Sequence, residues 1–272
     1  MSHIPRKRFG QNFLHDANII RNILAAIAPR AGQDLLEIGP GQGAITLPLL
    51  QLCGRLQAVE LDRDLLAPLA QATTGVGELI LHNRDALRTD FCSLRTGEQR
   101  LRVIGNLPYN ISTPLLFHLL DQADCIEDMH FMLQKEVVER MAAAAGTEHY
   151  GRLSVMLQYR CAVIPLFTIG PGAFRPPPKV ESAFVRLVPY RTPPVSVRDV
   201  AIFARVVQLA FGQRRKTLRN TLKGLLDDTD FAALGINPQI RAEQLDLAAF
   251  ARLADRAAEN PSFVPEHTEN TE

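Results

Sequence analysis

The chain has 272 residues, of which 46% are apolar and 22% charged, with a formal net charge of +1. That length holds one large folded unit or two modest ones, and the composition is that of a water-soluble globular protein. No apolar run is long enough to cross a bilayer, and the start, Met1-Ser2-His3-Ile4-Pro5-Arg6-Lys7-Arg8, lacks the apolar core of a signal peptide, so a cytoplasmic location is the expectation.

Four cysteines (Cys53, Cys92, Cys125, Cys161) are widely spaced, with no CxxC pair and no histidine at ligand spacing. Free buried thiols are expected, with neither a disulfide framework nor a metal site. The near-zero net charge conceals two basic clusters. Arg6, Lys7 and Arg8 form one; Arg214, Arg215, Lys216, Arg219 and Lys223 form the other, with no acid among them. Such clusters are the footprint of a nucleic-acid contact, although a solvated surface produces the same pattern.

In chain order, Ile19, Ile20, Ile23, Leu24 and Ile27 have helical spacing over 18–28. Leu35-Leu36-Glu37-Ile38 reads as a strand, broken by Gly39-Pro40-Gly41-Gln42-Gly43, after which Ile45, Leu47, Leu49 and Leu50 suit a helix. Further strands are expected at 56–61, 79–82, 101–104, 130–133, 162–167 and 182–187, with helices near 65–72 and 135–145. Strands alternating with helices predict βαβ units and a mostly parallel, Rossmann-like α/β sheet, helices on both faces, with the loops after the strands gathered along one edge. The Pro-rich stretch from Pro189 to Pro194 reads as a linker. Beyond it the pattern is helical. Phe203, Val206, Val207, Ala210 and Phe211 share a face; Leu218, Leu222 and Leu225 share another, beside which Arg215, Arg219 and Lys223 stack at four-residue spacing; Leu247, Phe250 and Leu253 mark a third helix. The expected organisation is a domain over 1–190, a small all-helical domain over 195–259, and a disordered tail over 260–272.

The glycine turn, Gly39-x-Gly41-x-Gly43, departs from the GxGxxG of dinucleotide folds, and an acid, Glu37, lies inside the strand before it. That suits a ligand without phosphates whose amino-acid end rests against a tight turn. Glu60 ends the second strand, where a carboxylate can accept from both ribose hydroxyls. Asp85 follows the third, where it can accept from an adenine amine. Asp62 reads as a helix N-cap instead, and Asp85 could equally make a turn. The ordered set of three resembles the class I S-adenosylmethionine methyltransferases.

After the fourth strand comes Asn106-Leu107-Pro108-Tyr109. The N6 amine of adenine is a poor nucleophile, because its lone pair is delocalised into the ring. Two acceptors that take its two N–H bonds draw the nitrogen toward tetrahedral geometry: the Asn106 side-chain oxygen, and the carbonyl of Leu107 or Pro108. Pro108 fixes the turn, and Tyr109 offers an aromatic face for an extruded base.

With these motifs the chain resembles the KsgA/RsmA family of ribosomal RNA adenine dimethyltransferases. The resemblance extends to Arg8-Phe9-Gly10-Gln11-Asn12-Phe13-Leu14, Gln134-Lys135-Glu136, Phe174-Arg175-Pro176-Pro177-Pro178-Lys179-Val180 and Phe211-Gly212-Gln213-Arg214-Arg215-Lys216-Thr217-Leu218. It implies that Gln11, Asn12 and Leu14 join Glu37, Gly39, Gly41, Gly43, Glu60, Leu61, Asp85, Ala86 and Asn106 around S-adenosylmethionine. It implies that Phe174 either covers the target base opposite Tyr109 or anchors its loop in the core. It further implies an enzyme acting on two adjacent adenosines in a hairpin loop near the 3′ end of 16S rRNA in immature small subunits. From the residues themselves no metal is expected, and with no long exposed apolar helix to demand a dimer, a monomer is the expectation. The alternatives are an Erm-type enzyme of the large subunit, a DNA adenine methyltransferase, and a non-catalytic assembly factor.

Overall fold

In the computed structural model, which describes residues 12–260, the short apolar runs become strands and the segments of helical spacing become helices. The order is β1 (Phe13–Leu14), α1 (Ala17–Ile27), β2 (Leu35–Ile38), α2 (Thr46–Cys53), β3 (Arg55–Val59), α3 (Arg63–Ala72), β4 (Glu78–His82), β5 (Leu101–Asn106), α4 (Ser112–Leu120), β6 (Ile126–Gln134), α5 (Lys135–Ala142), α6 (Arg152–Arg160), β7 (Cys161–Ile169), β8 (Phe174–Arg175), β9 (Ser182–Pro189), α7 (Val200–Ala210), α8 (Leu218–Thr221), α9 (Asp228–Ala233) and α10 (Leu247–Ala257). The basic residues Arg6, Lys7 and Arg8, the motif residue Gln11 and nearly all of the expected tail lie outside the described residues.

Seven strands form one sheet in the order β4-β3-β2-β5-β6-β9-β7. The pairs β4–β3, β3–β2, β2–β5 and β5–β6 are parallel, as the alternation of elements predicts; β9 runs antiparallel to β6. From β2 the chain builds outward through β3 to β4, then returns to place β5 and β6 on the other side of β2. Loops leaving β2 and β5 therefore diverge, and a crevice opens between the carboxyl ends of these two strands. β2 is buried along all four residues, as befits a central strand. A second, two-stranded sheet pairs Phe13 with Arg175 and Leu14 with Phe174.

Helix α1 starts where Asp16 accepts from the N–H groups of Asn18 and Ile19, and it buries Ile23 and Ile27 against Leu35, Leu49 and Leu56. At the foot of the sheet Arg102 donates to both oxygens of Asp128 at 2.8 and 3.1 Å, and to Gln33 and the Ile27 carbonyl. Arg186 reaches Asp128 at 2.9 Å. Burial opposes the charge on Asp128, but these two guanidinium groups overcome it and hold the carboxyl below its ordinary range. His130, stacked on Phe184 at 6.0 Å, is fully buried, and its ring nitrogens find no hydrogen-bond partner among the described residues. Burial pushes its pKa down to about 4, so it is neutral at physiological pH.

The chain divides into two compact units. One takes the described residues up to Val138 together with Ala162–Arg191; the other takes Glu139–Cys161 and the described residues from Thr192 onward. The second unit thus includes α6, whose near-continuous run Leu153 to Leu157 gives no clean amphipathic signal and which the sequence left inside the first domain. Tyr159 of α6 packs on Phe203 of α7 with ring centroids 4.8 Å apart, and Phe211 lies 5.6 Å from Phe250 of α10. The expected linker also shifts: Pro189 is the buried end of β9, and Arg191 donates to the carbonyls of Ala123 and Ile126.

Two further expectations fail. Cys92 and Cys125 are joined in a disulfide across 33 residues, whereas Cys53 and Cys161 are free and buried. Spacing hides this pairing, because the fold brings the two Cα atoms to 5.4 Å. The basic stack on a helix does not form either. Helix α8 is only four residues long, so Arg215 and Lys223 lie outside it.

Gly105, in β5 beside β2, has no room for a side chain: a Cβ there would stand 2.7 Å from the Ile38 carbonyl oxygen. Gly105→Ala is expected to destabilise the protein by about 1–3 kcal/mol, the usual cost of overpacking, read as a lower denaturant midpoint at unchanged slope.

Candidate active site

The glycine turn after β2 folds as it does because its residues leave no space and need unusual backbone angles. Gly41 (φ +57°) lies against the ring of Phe13, which a Cβ would approach to 3.1 Å. Gly43 (φ +85°) would push a Cβ to 2.7 Å from Leu69 of α3. Glycine tolerates both conformations without the steric penalty of a side chain. The turn thereby sits low enough to form the floor of a cleft of about 350 Å³ between the carboxyl ends of β2, β3 and β5.

Glu60, directly after β3, is nearly buried. One carboxylate oxygen accepts from the Asp62 N–H at 2.8 Å and the other from the Gly41 N–H at 3.3 Å. Burial raises its pKa and these backbone donors lower it, leaving a net upward shift. Two fixed donors hold the carboxylate in one orientation, with its remaining lone pairs available to a diol. Asp62 caps α3 by accepting from the Asp64 N–H. Asn83 clamps the same corner, donating to the Glu60 carbonyl at 2.8 Å while its oxygen accepts from Arg63.

Glu37 is buried at the back of the cleft and accepts from the Thr46 hydroxyl at 2.6 Å. Burial, with a smaller contribution from Glu60, raises its pKa to about 7 despite that hydrogen bond. Asp85 opens a 3-10 turn in which one of its oxygens accepts from the Leu87 N–H at 2.9 Å. The turn reading and the binding reading of Asp85 are thus compatible, because the second oxygen is not needed by the turn. Beside these acids Leu61, half exposed, and Ala86 supply apolar surface to the cleft.

Of the other expected residues, Asn12, Leu14, Gly39, Gly41, Asn106, Leu107, Pro108 and Tyr109 line the same cleft. Gly43 does not; it serves the turn. Asn106 donates through its side-chain N–H to the carbonyl of Asn12 at 3.0 Å. A carbonyl can only accept, so the NH2 group must face Asn12 and the Oδ1 must face away. The Pro108 carbonyl accepts from the Ile111 N–H at 3.1 Å, closing the turn, whereas the turn leaves the Leu107 carbonyl unused. Phe174 is the correction on this side. It is buried in the core with Leu14 and Ile169 and does not line the cleft, so it anchors its loop. The sequence reading missed Phe13, which packs on the glycine turn, and Arg84, at the cleft wall; neither belongs to a pattern whose chemistry is readable by itself.

In the second unit Arg214, Arg215, Lys216, Arg219 and Lys223 are all exposed. Arg219 is paired with Asp228, and Arg214 donates to the Glu148 carbonyl at 3.2 Å. No group of three potential metal ligands occurs among the described residues, and no helix among them is long and apolar enough to cross a membrane.

The strand order and the cleft at its reversal define a class I methyltransferase fold. Residues 2–259 match the model of the ribosomal RNA adenine dimethylase family. The chain is 60% identical over 260 residues to ribosomal RNA small subunit methyltransferase A of Pseudomonas aeruginosa, covering 95% of this chain and 97% of the other. It is 58% identical to the protein of the same name from Pseudomonas fluorescens, covering 97% of each. Among solved structures, a dimethyladenosine transferase from Plasmodium falciparum superposes with a TM-score of 0.76 at 24% identity, covering 89% of this chain and 95% of that one. The 23S rRNA methyltransferase ErmE superposes with a TM-score of 0.72 at 22% identity, covering 91% and 100%. This chain belongs to the ribosomal RNA adenine dimethylase family.

The buried Glu37 carries a measurable consequence. Its pKa is about 7 in the fold against an ordinary value of 4.5, so the native state binds the proton more tightly than the unfolded chain does. Its contribution to stability is full below pH 4.5 and is lost as pH rises through 7. Glu37→Gln, which keeps an acceptor for Thr46, is expected to gain on the parent with rising pH, by on the order of 3 kcal/mol at pH 9, in urea unfolding across pH 5–9.

Proposed function

We propose that this protein uses S-adenosylmethionine to dimethylate the N6 amines of two adjacent adenosines in a hairpin loop near the 3′ end of 16S rRNA, within immature small subunits in the cytoplasm. The observation that carries the reading is the amide of Asn106 in the cleft lining, whose NH2 group is taken by the Asn12 carbonyl, so that its oxygen is the end of the amide left to accept.

The donor's fit rests on the cleft's own chemistry. Glu60, oriented by two backbone N–H groups, suits a ribose diol. The free oxygen of Asp85 suits an adenine amine, with Leu61 and Ala86 against the ring. The glycine turn and Glu37 suit the methionine end. When bound, S-adenosylmethionine supplies a sulfonium methyl: attack by N6 forms the N–C bond and breaks the C–S bond, giving S-adenosylhomocysteine, and a proton leaves the nitrogen for solvent.

The protein's part is to hold and polarise the amine. Asn106 Oδ1 accepts one N–H, and the Leu107 carbonyl, left unused by its own turn, accepts the other. Both acceptors are fixed before the base arrives, so little reorganisation is needed at the moment of reaction. No strong base is required, because the methylated amine is acidic. Tyr109 stacks on the extruded base, and a loop adenosine costs less to unstack than one in a duplex. Arg215, Lys216 and Lys223 contribute phosphate contacts, with the basic residues 6–8. Near-full-length likeness to proteins named for the small subunit supports that subunit over the large one. The paired acceptors support catalysis over a purely structural role in assembly.

Labelled S-adenosylmethionine offered with unmodified small subunits, large subunits or duplex DNA is expected to label small subunits only; label in the large subunit or in DNA overturns the assignment. Asn106→Ala is expected to lower transfer by about 10³-fold, the loss typical of a preorganised polar group, while subunit binding stays within a few-fold. Replacing Arg215 and Lys216 by alanine is expected to weaken subunit binding and reduce the slope of log affinity against log salt by roughly one to two.

A further inference from the structure

Tyr109 is held at both ends by serines. Its carbonyl accepts from the Ser112 hydroxyl at 3.2 Å, at the start of α4. Its phenol oxygen lies 3.0 Å from Ser182 Oγ, and either hydroxyl can donate. Ser182 is almost fully buried, 73 residues along the chain. It reaches this position because β9 is antiparallel: its first residue pairs with Gln134, the last of β6, and so stands on the edge of the sheet that bears the cleft. Its backbone is fixed too, since Glu181 accepts from the Lys135 N–H at 3.0 Å and pairs with the Lys135 ammonium at 2.8 Å. The phenol is therefore moored to a rigid point, and tilting the ring breaks that hydrogen bond.

A consequence follows for a substrate that is methylated twice. An unmodified amine offers two hydrogens to the two acceptors, Asn106 Oδ1 and the Leu107 carbonyl. After one transfer a methyl group replaces one hydrogen, and one acceptor has nothing to bind. Half of the polar grip is gone, and the face-to-face contact with Tyr109 carries more of the alignment. We propose that Ser182 is a positioning residue for the second methyl transfer: it fixes the pitch of the Tyr109 ring, on which a monomethylated adenine depends more than an unmodified one. The proposal rests on the reading that Tyr109 stacks on the target base.

The test is a time course with the full-length protein, S-adenosylmethionine and unmodified small subunits, with N6-monomethyl- and N6,N6-dimethyladenosine quantified by mass spectrometry of digested RNA. Ser182→Ala and Tyr109→Phe remove the same hydrogen bond from opposite sides, the second at a half-buried residue where folding is not at risk. Each is expected to slow the second transfer by about three- to tenfold, the range spanned by an ordinary neutral hydrogen bond. Ser182→Ala leaves the first transfer and the affinity for S-adenosylmethionine within about twofold, so monomethyladenosine accumulates; Tyr109→Phe slows the second transfer more than the first, and the double variant is no slower than the slower single one. Equal slowing of both transfers, an unchanged product ratio, or additive losses in the double variant overturns the proposal. Tyr109→Ala separates it from the reading beneath it. A slow Tyr109→Ala beside unaltered Ser182→Ala and Tyr109→Phe removes the mooring and leaves stacking intact; an unaltered Tyr109→Ala removes both.

Discussion

The site depends on the divergence of the chain between β2 and β5. Parallel strands that lie side by side while their following segments turn opposite ways leave their carboxyl ends uncovered, and the main chain there can approach a ligand closely. Gly105 and the glycine turn make that approach possible from the two sides: one lets β5 lie against Ile38, the other keeps the loop after β2 low. Residues that would otherwise be ordinary strand ends, Glu37, Glu60 and Asn106, become neighbours around one cavity. The acids at the ends of β2 and β3 are then partly stripped of water, and the Thr46 hydroxyl at Glu37 and two backbone N–H groups at Glu60 take over the work of hydration.

Much of this was legible in the sequence because it is written in local patterns. The parallel strands announce themselves as apolar runs bounded by turns, and the cleft residues lie at the end of each strand, so the sequence alone orders Gly39, Glu60, Asp85 and Asn106 along one edge. Asp62 reads as a cap because Glu60 already occupies the strand end and Asp62 directly precedes α3. What was not legible depends on contacts between distant segments. Nothing local in Ser182 marks it as the partner of Tyr109, and nothing in the spacing of Cys92 and Cys125 marks them as a pair. Helix α6 joins the second unit through Tyr159, a tertiary choice that its uniformly apolar run does not encode. The basic stack failed for a related reason: four-residue spacing is informative only where a helix persists, and α8 stops after one turn.

Phe174 shows how a motif can be right about place and silent about role. The segment that contains it does return to the cleft side of the domain, through the pairing of β8 with β1, but the aromatic ring points its bulk into the core. Its service to the site is indirect: it secures the strand that secures Leu14 and, next to it, Phe13 under the glycine turn.

That small two-stranded sheet also ties the cleft to a distant part of the chain. Asn12, whose carbonyl fixes the Asn106 amide, immediately precedes β1, and the strand partner of β1 is β8, more than 150 residues later. The residues beside Asn12 are thus held by a segment from far along the chain. The direction of one amide in the cleft is therefore shared out among three segments: the turn that carries Asn106, the residue whose carbonyl it meets, and the short strand at 174–175 that pairs beside that residue.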